Sequence, residues 1–100
     1  MSEDRYYAVR MIWVRDQGIW DKYQEMARPI LARHKVQVEH WLVTDTIVGE
    51  GIDKPDLIVV TSYPSAAALE AFENDPEFKK ASALRDTGAR LVTVAAHSGL

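Results

Sequence analysis

Residues 54–85 constrain the fold more strongly than any other part of the sequence. Their first half contains an unbroken apolar and largely β-branched run, residues 57–60, between Pro55 and Pro64. A short run of this kind, bounded by prolines, is typical of a strand rather than a helix. Side chains alternate between the two faces of a strand, so the run predicts a strand that is covered on both sides.

Two helical segments are predicted after this strand. Ser65 stands where an N-cap residue is expected, and the alanine-rich run that follows it has high helix propensity. Asn74 and Pro76 interrupt that helix, while Asp75 can cap a second segment that begins at Pro76 and is closed by Gly88.

The flanking residues predict three further strands. Residues 6–14 would place apolar side chains on both faces of a strand and include a single charged residue, Arg10. Residues 89–96 form another apolar run typical of a strand. Residues 36–48 predict a strand whose polar residues suggest an edge position, with a bulge or turn at residues 44–46.

A long amphipathic helix is predicted over residues 17–34. Asp16 can cap it, its apolar residues recur at spacings of three and four, and Pro29 should kink it. The element order β-α-β-β-α-β then predicts an α+β, ferredoxin-like fold with a four-stranded antiparallel sheet. The helix over residues 17–34 and the two helical segments after Ser65, which count as one α element in this order, are expected on one face of that sheet.

The other face of the predicted sheet is bare but apolar. Val59, Val9 or Ile12, and Leu91 or Val92 place apolar groups on both faces. An exposed face of roughly a few hundred Å² or more exceeds what monomers usually leave open. A second copy, packed sheet on sheet with twofold symmetry, would cover it, so the sequence predicts a homodimer.

Composition narrows the functional classes. The chain has 100 residues and a net charge of −3, which predicts one domain over residues 1–100 and gives no footprint for nucleic acid. No run approaches the ~20 apolar residues of a membrane span. There is no cysteine for disulfide or thiolate chemistry, and the polar, acidic start predicts no cleavable secretory signal. A cytoplasmic location is therefore expected.

An ordered set of features along the chain matches one family pattern. The set comprises a tyrosine and a proline in the first helix, an acidic-glycine turn, an apolar strand ending in an aromatic and Pro-Ser, an alanine-rich helix with an aromatic, and a Pro-Glu-aromatic segment ending in arginine. These features are Tyr23, Pro29, Glu50, Gly51, Lys54, Pro55, residues 57–60, Tyr63, Pro64, Ser65, Ala68, Phe72, residues 75–78, Leu84 and Arg85. On these residues the chain resembles the DUF1330 proteins, a family of the dimeric α+β barrel superfamily, over residues 7–94.

The resemblance implies a ferredoxin-like fold, a homodimer that forms an α/β barrel, and a small-molecule ligand. Related branches include cofactor-independent monooxygenases, muconolactone isomerase-like proteins, and dye-decolourising and haem-degrading enzymes. The resemblance implies no established reaction and no cofactor.

Two histidines are candidate general bases. His34 lies on the apolar stripe of the first helix, where it could exchange a proton or could satisfy carbonyls at the helix end. His40 lies on a strand beside Trp41 and faces either a pocket or solvent. The two do not have the spacing of metal ligands on one element, and no metal or cofactor is expected.

Arginines and aromatic residues are candidates for ligand binding. Arg85, on or beside the inner stripe of the last helix, needs a carboxylate, a carbonyl cluster or an anionic ligand as its partner. Arg10 raises the same question and could pair with Glu39 or Asp45 across a dimer interface. The aromatic residues could wall a pocket for a flat ligand or could serve packing of the core and the dimer. The aromatic residues proposed for the wall are Trp20, Tyr23 and Phe72.

The leading functional hypothesis is a homodimer that binds a small molecule. Its catalytic form is a cofactor-independent oxygenase or isomerase-like enzyme acting on a small aromatic or polyketide-like compound, with His34 or His40 as base. The alternative is a non-catalytic structural or regulatory homodimer in which the same residues serve packing. A cavity of roughly 300 Å³ or more, with histidine and arginine groups converging on it, would favour the first hypothesis.

Overall fold

The computed structural model describes residues 5–98, which form a four-stranded antiparallel sheet with three helices. Residues 1–4 lie outside the described part of the chain. They belong to the polar, acidic start from which no cleavable secretory signal is predicted. The sheet order is β2-β3-β1-β4 and every neighbouring pair is antiparallel, which confirms the predicted ferredoxin-like α+β fold. The elements are β1 (Tyr6–Val14), α1 (Gln17–Arg33), β2 (Gln37–Val43), β3 (Leu57–Tyr63), α2 (Ala66–Glu73), α3 (Pro76–Arg85) and β4 (Ala89–His97).

Capping side chains begin each of the three helices. Asp16, Ser65 and Asp75 each accept a hydrogen bond from a backbone amide in the first turn of α1, α2 and α3, respectively. Such bonds satisfy amides that have no partner within the helix, and they confirm the three predicted caps. No helix within residues 5–98 is long and apolar enough to cross a membrane.

The second strand departs from the prediction in length. β2 ends at Val43, which pairs with Leu57 at the start of β3, and Ile47 and Val48 form no strand. Pro55 lies just before β3 and has no backbone N–H to donate. It therefore cannot complete the hydrogen bonds that a longer β2 would need from β3. Residues 44–56 instead form an irregular connection.

The irregularity in β2 also lies elsewhere than predicted. The register with β3 shifts between Val38 and His40, which places the bulge at Glu39 rather than at residues 44–46. A bulge adds one residue to one strand and so changes which side chains share a face. Val38 and Trp41, three residues apart, therefore both lie on the helix-covered face.

The core lies between the helices and one face of the sheet. Phe72 links three elements, because its ring centroid lies 4.2 Å from that of Phe78 in α3 and 5.8 Å from that of Tyr63 in β3. The remaining buried apolar residues fill the same layer. They are Ala8, Ile12, Trp20, Ala27, Ile30, Val59, Ala81 and Ala89.

The opposite face of the sheet, here called the open face, is apolar. In the register of the strands, Val9 of β1 lies between Val60 of β3 and Val94 of β4, and the next row is built in the same way. Leu42 and Val94 are 48% and 53% exposed. Helix contacts within the described residues lie on the other side, so the structure bears out the bare apolar face. The open face comprises Val9, Met11, Leu42, Ile58, Val60, Val92 and Val94.

Candidate functional site

Three adjacent depressions lie on the helix-covered side of the sheet. An open groove of about 560 Å³ lies between α1, β2 and the start of β3, and a smaller, partly enclosed cavity of about 70 Å³ adjoins it. A recess of about 210 Å³ lies between the helices and β4. The groove and the cavity share Trp20 and Trp41, while the cavity and the recess share Arg10, Phe78 and Leu91. The three form one row across the sheet.

The groove exists because the helices cover the edge strand β2 only in part. α1 packs against α3 over the central strands, which leaves β2 overhanging. The side chains that β2 turns toward the helices consequently remain accessible, and Trp41 is 47% exposed. Val38 and Val43 accompany it on the same face.

Aromatic rings wall the groove and the cavity. The ring of Trp20 is buried, and its centroid lies 6.3 Å from that of Trp41 and 5.4 Å from that of Tyr23. The ring planes are inclined by 40° and 32°, respectively. Inclined rings at this separation form a favourable aromatic cluster, of which Trp20 and Trp41 present an apolar wall to the groove.

Arg10 carries a buried charge at the centre of the row. Its Nη1 donates to the hydroxyl of Thr61 at 2.7 Å and its Nη2 to the hydroxyl of Tyr63 at 3.1 Å. The carboxylate of Glu73 lies 3.6 Å from Nη2, and the Glu73 side chain is 48% exposed. Two neutral oxygens and one long ion pair thus hold this guanidinium among the described residues.

The suggested pairing of Arg10 with Glu39 or Asp45 across a dimer interface does not fit the structure, because Arg10 does not lie on the open face. Arg10 shares the helix-covered face with its strand neighbours Ala8 and Ile12, because side chains alternate along β1. Glu39 instead accepts a hydrogen bond of 2.6 Å from the hydroxyl of Ser62.

Arg85 connects the recess to the aromatic cluster. Its guanidinium carbon lies 5.2 Å from the centroid of the Tyr23 ring, and Nη1 lies 3.5 Å from the Tyr23 hydroxyl. Its Nε donates to the carboxylate of Asp86 at 3.1 Å. The side chain of Arg85 is only 11% exposed, so the predicted half-buried arginine is found at the wall of the recess.

His34 joins two helix ends. Its Nε2 lies 2.7 Å from Oδ2 of Asp75, and its ring meets the edge of Phe72 at a centroid distance of 5.7 Å. The Arg33 guanidinium, and then the His34 ring, hold the pKa of the Asp75 carboxyl well below its usual range. His34 does not line the groove, the cavity or the recess.

His40 lies apart from the same row. It is exposed on β2 and pairs with Val60, whose side chain belongs to the open face. The structure therefore does not bring the two histidines together, and their role as bases stays a prediction. Within residues 5–98 no three histidine or acidic side chains gather where they could hold a metal ion.

The residues predicted to bind a ligand lie along this row, and their role in binding stays a prediction. Trp20, Tyr23 and Phe72 line the cavity and Arg85 lines the recess beside it. The open groove exceeds the expected volume, but neither histidine reaches it, and the cavity is far smaller.

The residues proposed from the sequence to bind the ligand do not include Arg10 or Trp41, although Arg10 was identified there as an arginine that needs a partner. The signal for Arg10 was available, because it is the single charge in β1 and shares its parity with the buried Ala8 and Ile12. Trp41 belongs to the aromatic residues that could line a pocket, but the sequence did not predict which face of the sheet it would occupy. Strict alternation from Val38 would have placed it on the opposite face, and only the bulge at Glu39 brings it to the groove.

Comparison with known families gives one match. The family model of DUF1330, described as a domain of unknown function, matches residues 5–98. No protein of curated function matches the sequence.

Solved structures with the same fold include proteins from several bacteria. A protein of unknown function from Rhodopseudomonas palustris is 18% identical with a TM-score of 0.75, over 93% of this chain and 82% of that chain. SnoaB, a cofactor-independent oxygenase from Streptomyces nogalater, is 10% identical with a TM-score of 0.67, over 97% and 95%. A dimeric ferredoxin-like protein of unknown function from Thermobifida fusca is 12% identical with a TM-score of 0.65, over 98% and 94%. At these identities the similarity establishes the fold.

Proposed function

Since the chain belongs to the DUF1330 family, and since aromatic rings wall its groove, we propose that it is a homodimer that binds a small aromatic molecule. The observation that carries the proposal is the open groove of about 560 Å³ beside Trp20 and Trp41. Ligand sites are commonly clefts of roughly 300–1,000 Å³ lined by apolar and aromatic groups with a few polar ones.

The dimensions of the row suggest how a ligand would lie. The cavity, about 70 Å³, has room for a small substituent or a few waters but not for an aromatic ring. The ring of the ligand would therefore occupy the groove against Trp20 and Trp41, with a substituent directed toward Arg10.

The open face supports the homodimer. Its central residues are valine, isoleucine and methionine, and a second copy packed against them would bury the sheet of both chains. The ferredoxin-like protein from Thermobifida fusca with the same fold is described as dimeric. The groove lies on the other side of the sheet, so dimer formation would leave it accessible.

A catalytic form of this function is an oxygenase or isomerase-like reaction, without a cofactor, on a small aromatic or polyketide-like compound. SnoaB, which has the same fold, is described as a cofactor-independent oxygenase. Fold alone does not determine chemistry, so this step requires a base within reach of the ligand. His34 and His40 lie outside the row and would have to approach it.

A second candidate is a non-catalytic structural or regulatory homodimer. The contact between His34 and Asp75 favours it, because it satisfies the histidine within the protein at 2.7 Å. Arg10 likewise finds protein partners in Thr61 and Tyr63.

Replacement of Trp41 tests the ligand site. We expect 2-naphthamide, a neutral bicyclic probe, to bind the purified protein, and Trp41→Ala to weaken its binding about tenfold through lost aromatic contact. Isothermal titration calorimetry measures both affinities. Trp41 is half-exposed, so its removal should leave the core intact.

Leu42→Ala is the matched control. Leu42 is the next residue of β2, is equally exposed and points to the open face. Its replacement should leave the affinity for 2-naphthamide unchanged. Absence of binding to the unaltered protein, or equal losses in the two variants, would contradict an aromatic site in the groove.

A further inference from the structure

The recess beside β4 contains two guanidinium groups. Arg10 and Arg85 both line it, and their side chains are 10% and 11% exposed. Ser82 and Thr93 contribute hydroxyl groups, and Phe78 provides an apolar wall. Two cations of this kind around one small recess of about 210 Å³ require negative charge nearby.

The protein itself supplies that charge only in part. Arg10 has five N–H donors, and within the described residues its hydrogen bonds go to the neutral hydroxyls of Thr61 and Tyr63. Glu73, the carboxylate within ion-pair distance of Arg10 among the described residues, lies at 3.6 Å, beyond a good hydrogen bond. The Glu73 side chain is half-exposed, so solvent screens its charge in part and it neutralises the buried Arg10 incompletely.

The protein likewise compensates the positive charge of Arg85 only in part. Its Nε donates to Asp86, which lies largely in solvent, and its guanidinium plane leans on the ring of Tyr23. Its Nη1 lies at the limit of hydrogen-bond distance from the Tyr23 hydroxyl. Among the described residues, N–H groups of both arginines therefore have no protein acceptor, and both side chains line the recess.

We propose that the recess binds the carboxylate group of a small organic acid, held between Arg10 and Arg85. Planar guanidinium groups recognise carboxylates through paired N–H donors, and the low exposure of both side chains strengthens such bonds. Glu73 occupies the place of the ligand carboxylate and moves toward solvent when the acid binds. The apolar body of the acid packs on Phe78 and Leu91.

This assignment goes beyond the aromatic groove and stands on the recess alone. The groove lies at the far end of the row and shares no lining residue with the recess. The two proposals meet at Arg10, toward which a substituent of the groove ligand would point, whereas Arg85 lines only the recess, so replacement of Arg85 tests the recess separately.

A matched pair of ligands tests the recess. Benzoate and benzamide have nearly the same shape and differ in charge, so the purified protein should bind benzoate at least tenfold more tightly. Calorimetry measures the affinities, and ¹⁵N spectra of the arginine Nε–H groups report contact with the guanidinium groups. Binding of the two ligands with equal affinity would overturn the proposal even if 2-naphthamide binds in the groove.

Three variants locate the binding. Arg85→Gln should weaken benzoate binding about tenfold through loss of a charged donor. Glu73→Gln should tighten it about threefold by removal of the competing carboxylate. Arg28→Gln removes an exposed arginine from α1 and should leave the affinity for benzoate unchanged. Equal losses in the Arg85 and Arg28 variants, or weaker binding in the Glu73 variant, would also overturn the proposal.

Discussion

At the scale of single residues, the carboxylate of Asp75 makes three contacts. Its Oδ1 accepts a hydrogen bond from the amide of Glu77 at 2.8 Å and so caps α3. Its Oδ2 accepts from Arg33 at 2.6 Å and lies 2.7 Å from Nε2 of His34. Because the carboxylate is the acceptor in all three contacts, they favour its ionised form and lower its pKa.

This geometry predicts a pH-dependent effect of Asp75→Asn. A carboxyl group whose pKa is lowered on folding contributes stability that is present above its unfolded-state value of 3.8 and is lost as the pH falls below that value. The variant should melt roughly 5 °C lower near neutral pH. The difference from the unaltered protein should shrink as the pH falls from about 5 to about 2.

Thermal unfolding near pH 7 and near pH 3, followed by circular dichroism, measures this difference. Asp45→Asn is the control, because Asp45 lies in an exposed loop and its backbone carbonyl, rather than its carboxylate, accepts the bond from Lys54. If the melting temperature of Asp75→Asn stayed lower by the same amount at both pH values, the ionised carboxylate would not be the cause of the lost stability.

At the scale of secondary-structure elements, Gly88 allows the turn before β4 to meet the start of α1. Its carbonyl accepts hydrogen bonds from the amides of Arg15 and Asp16 at 2.8 and 2.9 Å. A Cβ atom at this position would lie 2.7 Å from Cβ and Cγ2 of Ile19 and 3.2 Å from Cβ of Asp16. The two elements approach so closely that only glycine fits between them.

Two glycine substitutions separate this packing effect from backbone propensity. Gly88→Ala should lower the free energy of unfolding by about 1–3 kcal/mol, because the methyl group overpacks the contact. Gly18→Ala, in the first turn of α1, meets its nearest neighbour at 3.4 Å and should be neutral or gain up to about 1 kcal/mol. Urea denaturation measures both values, and equal effects at the two sites would contradict the packing argument.

At the scale of the whole molecule, the two faces of the sheet serve different purposes. One face holds the core and the row of groove, cavity and recess, while the other presents an apolar surface of valine, isoleucine, leucine and methionine. Strands that are apolar on both faces need two layers of cover, and the helices of one chain supply one layer. A second copy would supply the other.

Val94→Asp tests this division of roles. Val94 is 53% exposed on the open face, and a charge there would oppose burial against a partner. Light scattering during size exclusion should show twice the chain mass for the unaltered protein and the chain mass for the variant. Ala83→Asp, exposed on α3, should remain dimeric. A monomeric unaltered protein would refute the homodimer, and circular dichroism should confirm that both variants are folded.

The site could be anticipated only in part from the sequence. Trp20, Tyr23, Phe72 and Arg85 are found around the cavity and the recess, because helical spacing assigned them correctly to inward-facing stripes. Whether such residues meet one another depends on how the helices lie on the sheet. His34 is on the same stripe, yet it meets Asp75, which is 41 residues further along the chain.

The element order, the three helix caps and the apolar character of both sheet faces are determined by the sequence alone. Each depends on interactions within a few neighbouring residues or on the two-residue period of a strand. The tertiary structure decided the bulge at Glu39, the end of β2 at Val43 and the meeting of Arg10 with Arg85 in one recess. These features follow from contacts between residues far apart in the chain, where strand register and helix position, rather than local preference, set which side chains come together.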